Sequence, residues 1–202
     1  MNKTWGIIAG VVGVLVVLAL LVLGSYNGLV NDRETVRGKI NALESQYQRR
    51  ADLVPNLVNT VKGAANFEQS TLNQVVEART KATQVKIDAS NATPEQITAY
   101  QAAQGELSQA LSRLLAITEN YPELKATEAY RDLIAQLEGT ENRIQVARGD
   151  YGTAAQAYNA RIQRFPSNIT AAVFGFQAFP YFEADKGAEK APTVNFDTQP
   201  NQ

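Results

Sequence analysis

The chain of 202 residues contains no cysteine and no histidine. Without them there is no disulfide framework, no zinc site of the usual ligands, no thiol nucleophile and no imidazole to move protons near neutral pH. A glycine-rich phosphate loop and a Ser-His-Asp set are missing as well. An excess of one charge is also lacking, because 19 basic and 20 acidic residues leave a net charge of −1. With no basic stripe and interleaved aromatics, nucleic acid is not expected as a partner. No cofactor is expected, and the chain reads as a non-enzyme.

What is present begins with a long apolar run. Ile7 to Leu23 reads IIAGVVGVLVVLALLVL, with Trp5 in front, Tyr26 behind and no charge from Thr4 to Asn31. A bilayer core of about 30 Å needs about 20 apolar residues in a helix, with aromatics at its two interfaces. A signal peptide has a shorter apolar region of about 7–15 residues. Residues 1–25 are therefore expected to form an uncleaved single-pass anchor that meets the lipid bilayer through residues 5–24. Orientation signals conflict. Lys3 precedes the span while Arg33, Arg37 and Lys39 come after it, which by charge count places the large domain in the cytoplasm. A short basic leader before a lone apolar run is also the shape of a signal anchor that exports the domain C-terminal to it.

Beyond the membrane the pattern is helical. Val36, Ile40, Leu43, Tyr47, Val54, Leu57 and Val61 recur at three- and four-residue steps, with one gap at Arg50/Ala51. Lys62-Gly63 reads as a basic last turn with a left-handed cap. A second helix is expected from Asn66-Phe67-Glu68-Gln69 to about Ile87. A third starts at Thr93-Pro94-Glu95-Gln96, a capping box with proline at the first helical position, and ends before Tyr121-Pro122. A fourth runs from Thr127 to Phe165 and is stopped by Pro166. Short connections predict an all-α fold, an antiparallel up-and-down four-helix bundle over residues 26–166 with long first and last helices. At 1.5 Å per residue those two helices are roughly 55 Å long and the middle two roughly 35 Å, so the long pair should continue as a two-stranded neck toward the bilayer.

Arg49, Arg50 and Pro55 interrupt the first helix. In straight antiparallel helices the heights matching Arg50 are about 79, 103 to 106 and 139 to 141. Charge gathers at that level: Glu77, Arg79, Glu106, Glu138, Glu141 and Arg143. A register-setting ionic layer inside the bundle accounts for it, because a buried charge layer stabilises little but fixes alignment. A carboxylate metal site from Glu77, Glu106 and Glu141 is the weaker reading, since histidine is missing and arginines compete for the carboxylates. Pro55 cannot donate to the Ala51 carbonyl, so Arg50, Arg79 or a water should do so at this kink. Past Pro166, residues 167–184 are aromatic, with Phe174, Phe176, Phe179, Tyr181 and Phe182 emerging near the membrane end of the bundle, and Asn168 caps a turn that ends at Gly175. Residues 185–202 read as a disordered polar tail.

Together RRADLVPNLVNTVKG, FEQSTLNQVVEAR, YPELKA, EGTENRIQVARGDY, AYNARIQRFPSN and FGF...YFEA resemble the LemA family of bacterial membrane proteins, over Tyr26 to Ala184. The resemblance implies a four-helix bundle behind an N-terminal anchor, in a family whose biochemical activity is not established. Where the family usually has Tyr and His after Gly63, this chain has Ala64 and Phe67, so a histidine-dependent role does not carry over. Some relatives look like lipoproteins with an acylatable cysteine just before the Tyr-Asn pair; Ser25 stands there in this chain. Such relatives imply a large domain outside the cytoplasm, on the bacterial inner membrane. The function expected is a membrane-anchored scaffold or adaptor that recruits a protein partner. The other reading is a regulatory or sensory protein that binds a peptide, lipid or small ligand at the aromatic segment; aromatics packed on the neck favour the scaffold.

Overall fold

The apolar run and the heptad-like seam beyond it belong to one element. In the computed structural model, which describes residues 3–63, 68–89 and 92–182, α1 runs unbroken from Lys3 to Lys62. An 18-residue window in it has a mean hydropathy of 3.1 and is nowhere covered by the rest of the protein. A core helix of that composition would be packed by its neighbours, whereas this one is bare and long enough to cross a membrane. The other elements are α2 (Gln69–Gln84), α3 (Pro94–Thr118), α4 (Pro122–Ala126), α5 (Glu128–Gln163) and α6 (Ser167–Phe174). All regular structure among the described residues is helical.

Helix starts obey local chemistry. Thr93 Oγ1 accepts from the Gln96 N–H and Gln96 Oε1 accepts from the Thr93 N–H, both at 3.3 Å, with Pro94 opening α3. Thr127 Oγ1 accepts from the Tyr130 N–H at 3.4 Å and opens α5. Glu68 precedes α2 and makes no side-chain cap bond; Asn66 and the tail at 185–202 lie outside the described residues.

Several ends differ from expectation. α2 stops at Gln84 and not near Ile87, because Val85, Lys86 and Ile87 alternate inward and outward in extended chain, which turns both apolar side chains to the core. The link between the third and fourth helices contains α4, a short helix with Pro122 in its first turn and Leu124 buried. α5 ends at Gln163, and Phe165 is 81% exposed and does not extend the seam. The residue before a proline is pushed out of helical backbone, which swings Phe165 away. Gly63 does not take the left-handed conformation expected of it; among the described residues Gly175 does, at φ 70°, closing α6.

Side-chain pairs give the helix directions. Asp32–Arg161, Lys39–Asp150 and Arg50–Glu141 meet at 2.8–2.9 Å, so α1 and α5 run antiparallel along most of their shared length. Gln74–Arg113 and Lys81–Glu106 set α2 and α3 antiparallel in the same way. Gly28 lets the Arg161 guanidinium lie across α1 to reach Asp32, since a Cβ there would come within 2.0 Å of it. The buried apolar residues divide into two clusters. The one nearer the apolar run holds Leu29, Val36, Ile40, Tyr47, Tyr100, Ile144, Tyr151 and Tyr158. The distal one holds Val54, Leu57, Leu72, Val75, Leu107, Leu114 and Leu137.

The neck is not a bare pair of helices, because the chain after α6 folds back on it. Asn159 Nδ2 donates to the Phe179 carbonyl at 2.8 Å, and the Phe179 N–H donates to Asn159 Oδ1 at 2.9 Å. Phe176 and Phe179 are buried, Phe179 edge-on to Tyr158 and Phe182 edge-on to Tyr151, while the Tyr151 hydroxyl donates to the Pro180 carbonyl. Tyr26 meets Phe174 and Phe176. Two outcomes test this docking. Asn159→Ala should orphan two buried backbone groups at a cost of about 2–4 kcal/mol, read as a lower melting temperature and faster proteolysis near Phe179. Burial pushes the Tyr151 hydroxyl from 10.0 up to about 12. A group whose folded pKa is raised stabilises fully below its unfolded value, so the contribution of Tyr151 is complete below about pH 10 and fades as pH rises toward 12. The melting-temperature gap between the wild type and Tyr151→Phe should therefore narrow across that window.

Candidate functional site

Between the two apolar clusters lies one buried charge. On α1 the inward positions step through Tyr47, Arg50, Val54 and Leu57, so Arg50 fills the gap in the seam, and it is 2% exposed. A buried cation is tolerated only when most of its donors are met, and here both terminal nitrogens are engaged while the buried Nε has no partner. Arg50 Nη1 donates to Ser108 Oγ at 2.6 Å and Glu141 Oε2 at 2.9 Å, while Nη2 donates to the Gln104 carbonyl at 3.0 Å and Gln104 Oε1 at 2.8 Å. Its guanidinium carbon also lies 5.1 Å from the Tyr47 ring centroid, in cation–π range. The group thus joins α1 to both α3 and α5.

Two backbone faults at the same level are met by side chains from neighbouring helices. Pro55 frees the Ala51 carbonyl, and Arg79 Nε on α2 donates to it at 2.8 Å. The Ala82 carbonyl lies in the last turn of α2, where carbonyls lack helical partners, and Gln104 Nε2 donates to it at 3.1 Å.

Other expected members of the layer lie elsewhere. Glu77 and Glu106 are exposed and flank Lys81 at 3.3 and 3.5 Å, which holds the Lys81 ammonium above its ordinary pKa, chiefly by the hydrogen bond it donates to Glu77. Arg49, Glu138 and Arg143 are exposed. Glu77 and Glu106 do not converge with Glu141, and no cluster of three acidic side chains suited to a metal occurs among the described residues. Gln104, Ser108 and the buried Thr140 complete the level and are not charged, so a search for charge passes over them. Their signal is positional: Gln104 stands between Tyr100 and Leu107, and Thr140 between Leu137 and Ile144, on the inward faces of their helices.

Nothing at this level resembles a nucleophile with its base. A guanidinium stays charged and moves no proton. What the layer adjoins is a groove of about 270 Å³ between α3 and α5, with Arg50 at its base. Leu111, Leu115, Ile134 and Leu137 wall it, and Glu138 and Glu141 stand at its edge. A second cavity of about 190 Å³ lies by the aromatic segment, lined by Arg33, Tyr158 and Phe176; the Tyr158 hydroxyl is buried without a hydrogen-bond partner.

The LemA family model matches residues 39–196. The chain belongs to the LemA family. It is 30% identical to the magnetosome protein MamQ 2 of Paramagnetospirillum magneticum, over 91% of this chain and 74% of that protein. It is 27% identical to MamQ of Magnetospirillum gryphiswaldense, over 89% and 72%. Protein LemA of Metamycoplasma hominis is 21% identical over 81% and 71%. The matched range opens in the helical body beyond the apolar run and takes in the whole Arg50 level.

Arg50→Ala should lower the stability of the protein by more than about 1.5 kcal/mol, because it empties a buried site and leaves Gln104 and Ser108 without their donor. Glu141→Ala should cost less, since three of the four bonds remain. Thermal melts that rank the two the other way would overturn this assignment.

Proposed function

We propose that this LemA-family chain is a non-enzymatic, single-pass scaffold of the bacterial inner membrane, and that residues 5–24 are its anchor. In this reading the four long helices form an up-and-down bundle and the Arg50 layer fixes their register. Buried polar groups serve alignment better than they serve net stability. The large domain lies outside the cytoplasm, as the short basic leader before a lone apolar run suggests. The similarity to magnetosome proteins and to LemA supports a membrane-associated protein without catalysis.

The observation that carries the adaptor role is the groove between α3 and α5. It is apolar along its walls, acidic at Glu138 and Glu141, and open to solvent. Its occupant is an amphipathic helix of a partner protein, with an aliphatic face for Leu111, Leu115, Ile134 and Leu137 and a basic residue for the acidic edge. Arg50 stands 27 residues past Leu23 on one helix, on the order of 40 Å from the bilayer edge, so the partner is met in the aqueous phase.

The ligand-binding alternative draws on the buried Tyr158 hydroxyl and its cavity. It is weakened because Phe176 and Phe179, the aromatics it would need free, are buried against the neck. A photo-crosslinking residue at Ser112, in native membranes, should trap one protein adduct that Glu138→Lys abolishes. An adduct indifferent to Glu138→Lys, or one containing only lipid or a second copy of this chain, would reject the groove as the adaptor surface.

A further inference from the structure

Apart from α1's apolar run and Trp5 in front of it, the exposed large apolar side chains among the described residues are Val76, Val146 and five that all fall between Phe165 and Tyr181. Scattered exposed apolar residues are ordinary, but a cluster marks a surface that something covers. Within the cluster, Ile169 and Val173 lie four residues apart on one face of α6 and are 54% and 73% exposed. Phe165 precedes them, and Phe174 flanks them at 52% exposed. The opposite face of α6, with Thr170 and Ala171, is buried against the protein. The large apolar side chains of α6 are thus the ones left open, with Asn168 and Ala172 beside them, while the small Thr170 and Ala171 face the protein.

The height of this face identifies what covers it. Tyr26 is three residues past Leu23, about 4.5 Å along α1, and its ring centroid is 4.9 Å from that of Phe174. Arg161 is bonded to Asp32 and lies across Gly28, so the chain reaches Phe165 one turn nearer the end of the apolar run. The uncovered face therefore stands where the helix leaves the hydrocarbon, and the bilayer reaches it with no additional partner. Arg164, exposed beside Phe165, is placed to snorkel toward lipid phosphates.

We infer that the α5–α6 corner and the exposed face of α6 are seated in the headgroup region of the leaflet from which α1 emerges, as an interfacial helix that fastens the domain to the membrane at a second point. The inference rests on the anchor reading above. The occupant is the lipid surface itself. Seating α6 fixes the rotation of the domain about α1, which a single spanning helix leaves free.

The test uses the full-length chain, one copy per lipid nanodisc of phosphatidylcholine and phosphatidylglycerol, with lipids brominated near the headgroup end of the acyl chain. Trp5 is the sole tryptophan, so wild type reports on the anchor and a Trp5→Phe background reports on introduced positions. Val173→Trp should lose at least about half its emission to brominated lipid, while Val146→Trp, exposed but far along the helical body, should lose none. Equal emission from the two variants, with Trp5 still quenched, overturns the inference and spares the anchor. Loss of quenching at Trp5 overturns both. A Val173→Trp signal that changes only when two copies share a disc assigns the face to a second copy and also overturns it.

Discussion

A guanidinium enclosed by apolar clusters on both sides has to find acceptors or the protein cannot close around it. Arg50 finds four, spread over two helices that reach it from different directions. Leucine in its place would pack at several neighbouring registers; an arginine with fixed donor geometry accepts one. Sliding α3 by a residue turns Gln104 by about 100° and carries it off the guanidinium. The distal and proximal clusters can both be generic apolar packing because the alignment is set between them.

The same level settles two faults in the backbone. Pro55 leaves a carbonyl open on α1, and α2 supplies Arg79; α2 ends early, and α3 supplies Gln104. Each repair comes from another helix, so none is complete until the helices are aligned. Helical continuity through Pro55 then becomes a tertiary property. Packing in the cluster nearer the apolar run is achieved differently. A pair of helices alone cannot bury all round its seam, and here the remaining cover is extended chain: Val85 and Ile87 from the α2–α3 link, and the residues after Gly175. Tyr151, Tyr158 and Asn159 on α5 hold the second of these.

How much of this is legible in the sequence depends on whether the signal is local. Thr93 caps its helix as read, and Thr127 caps the helix expected to open near it, since a capping side chain needs only its own first turn. The seams of α1 and α3 are periodic and equally readable, as is the need for a donor to the Ala51 carbonyl, which among Arg50, Arg79 and a water proves to be Arg79. Helix heights give the Arg50–Glu141 level to within a residue or two, because antiparallel helices joined by short links constrain one another. Facing is where the reading fails. Glu106 stands at the right height and points to solvent, and Gln104, two residues earlier, points inward. Height counts residues, whereas facing requires the periodic seam, and a polar residue within a seam is the sign that was available at Gln104. Phe165, α4 and the end of α2 escape for another reason: proline sterics and period-two burial override a helical pattern only where the tertiary surface rewards it.

The way the neck is filled also bears on which function the molecule can perform. A ligand seeking the sites of Phe176 and Phe179 competes with a segment tethered in the same chain. Such tethering acts as an effective concentration in the millimolar range, and Asn159 adds two hydrogen bonds to the segment's side of the balance. A free ligand must overcome both to move the neck. The groove between α3 and α5 carries no such competitor. Its walls are part of the same helices that Arg50 aligns, and it faces water on the order of 40 Å along α1 from the end of the apolar run. A surface held rigid at one end of a long body, with the other end fixed by packing against α1 just beyond the apolar run, suits the scaffold role proposed for it.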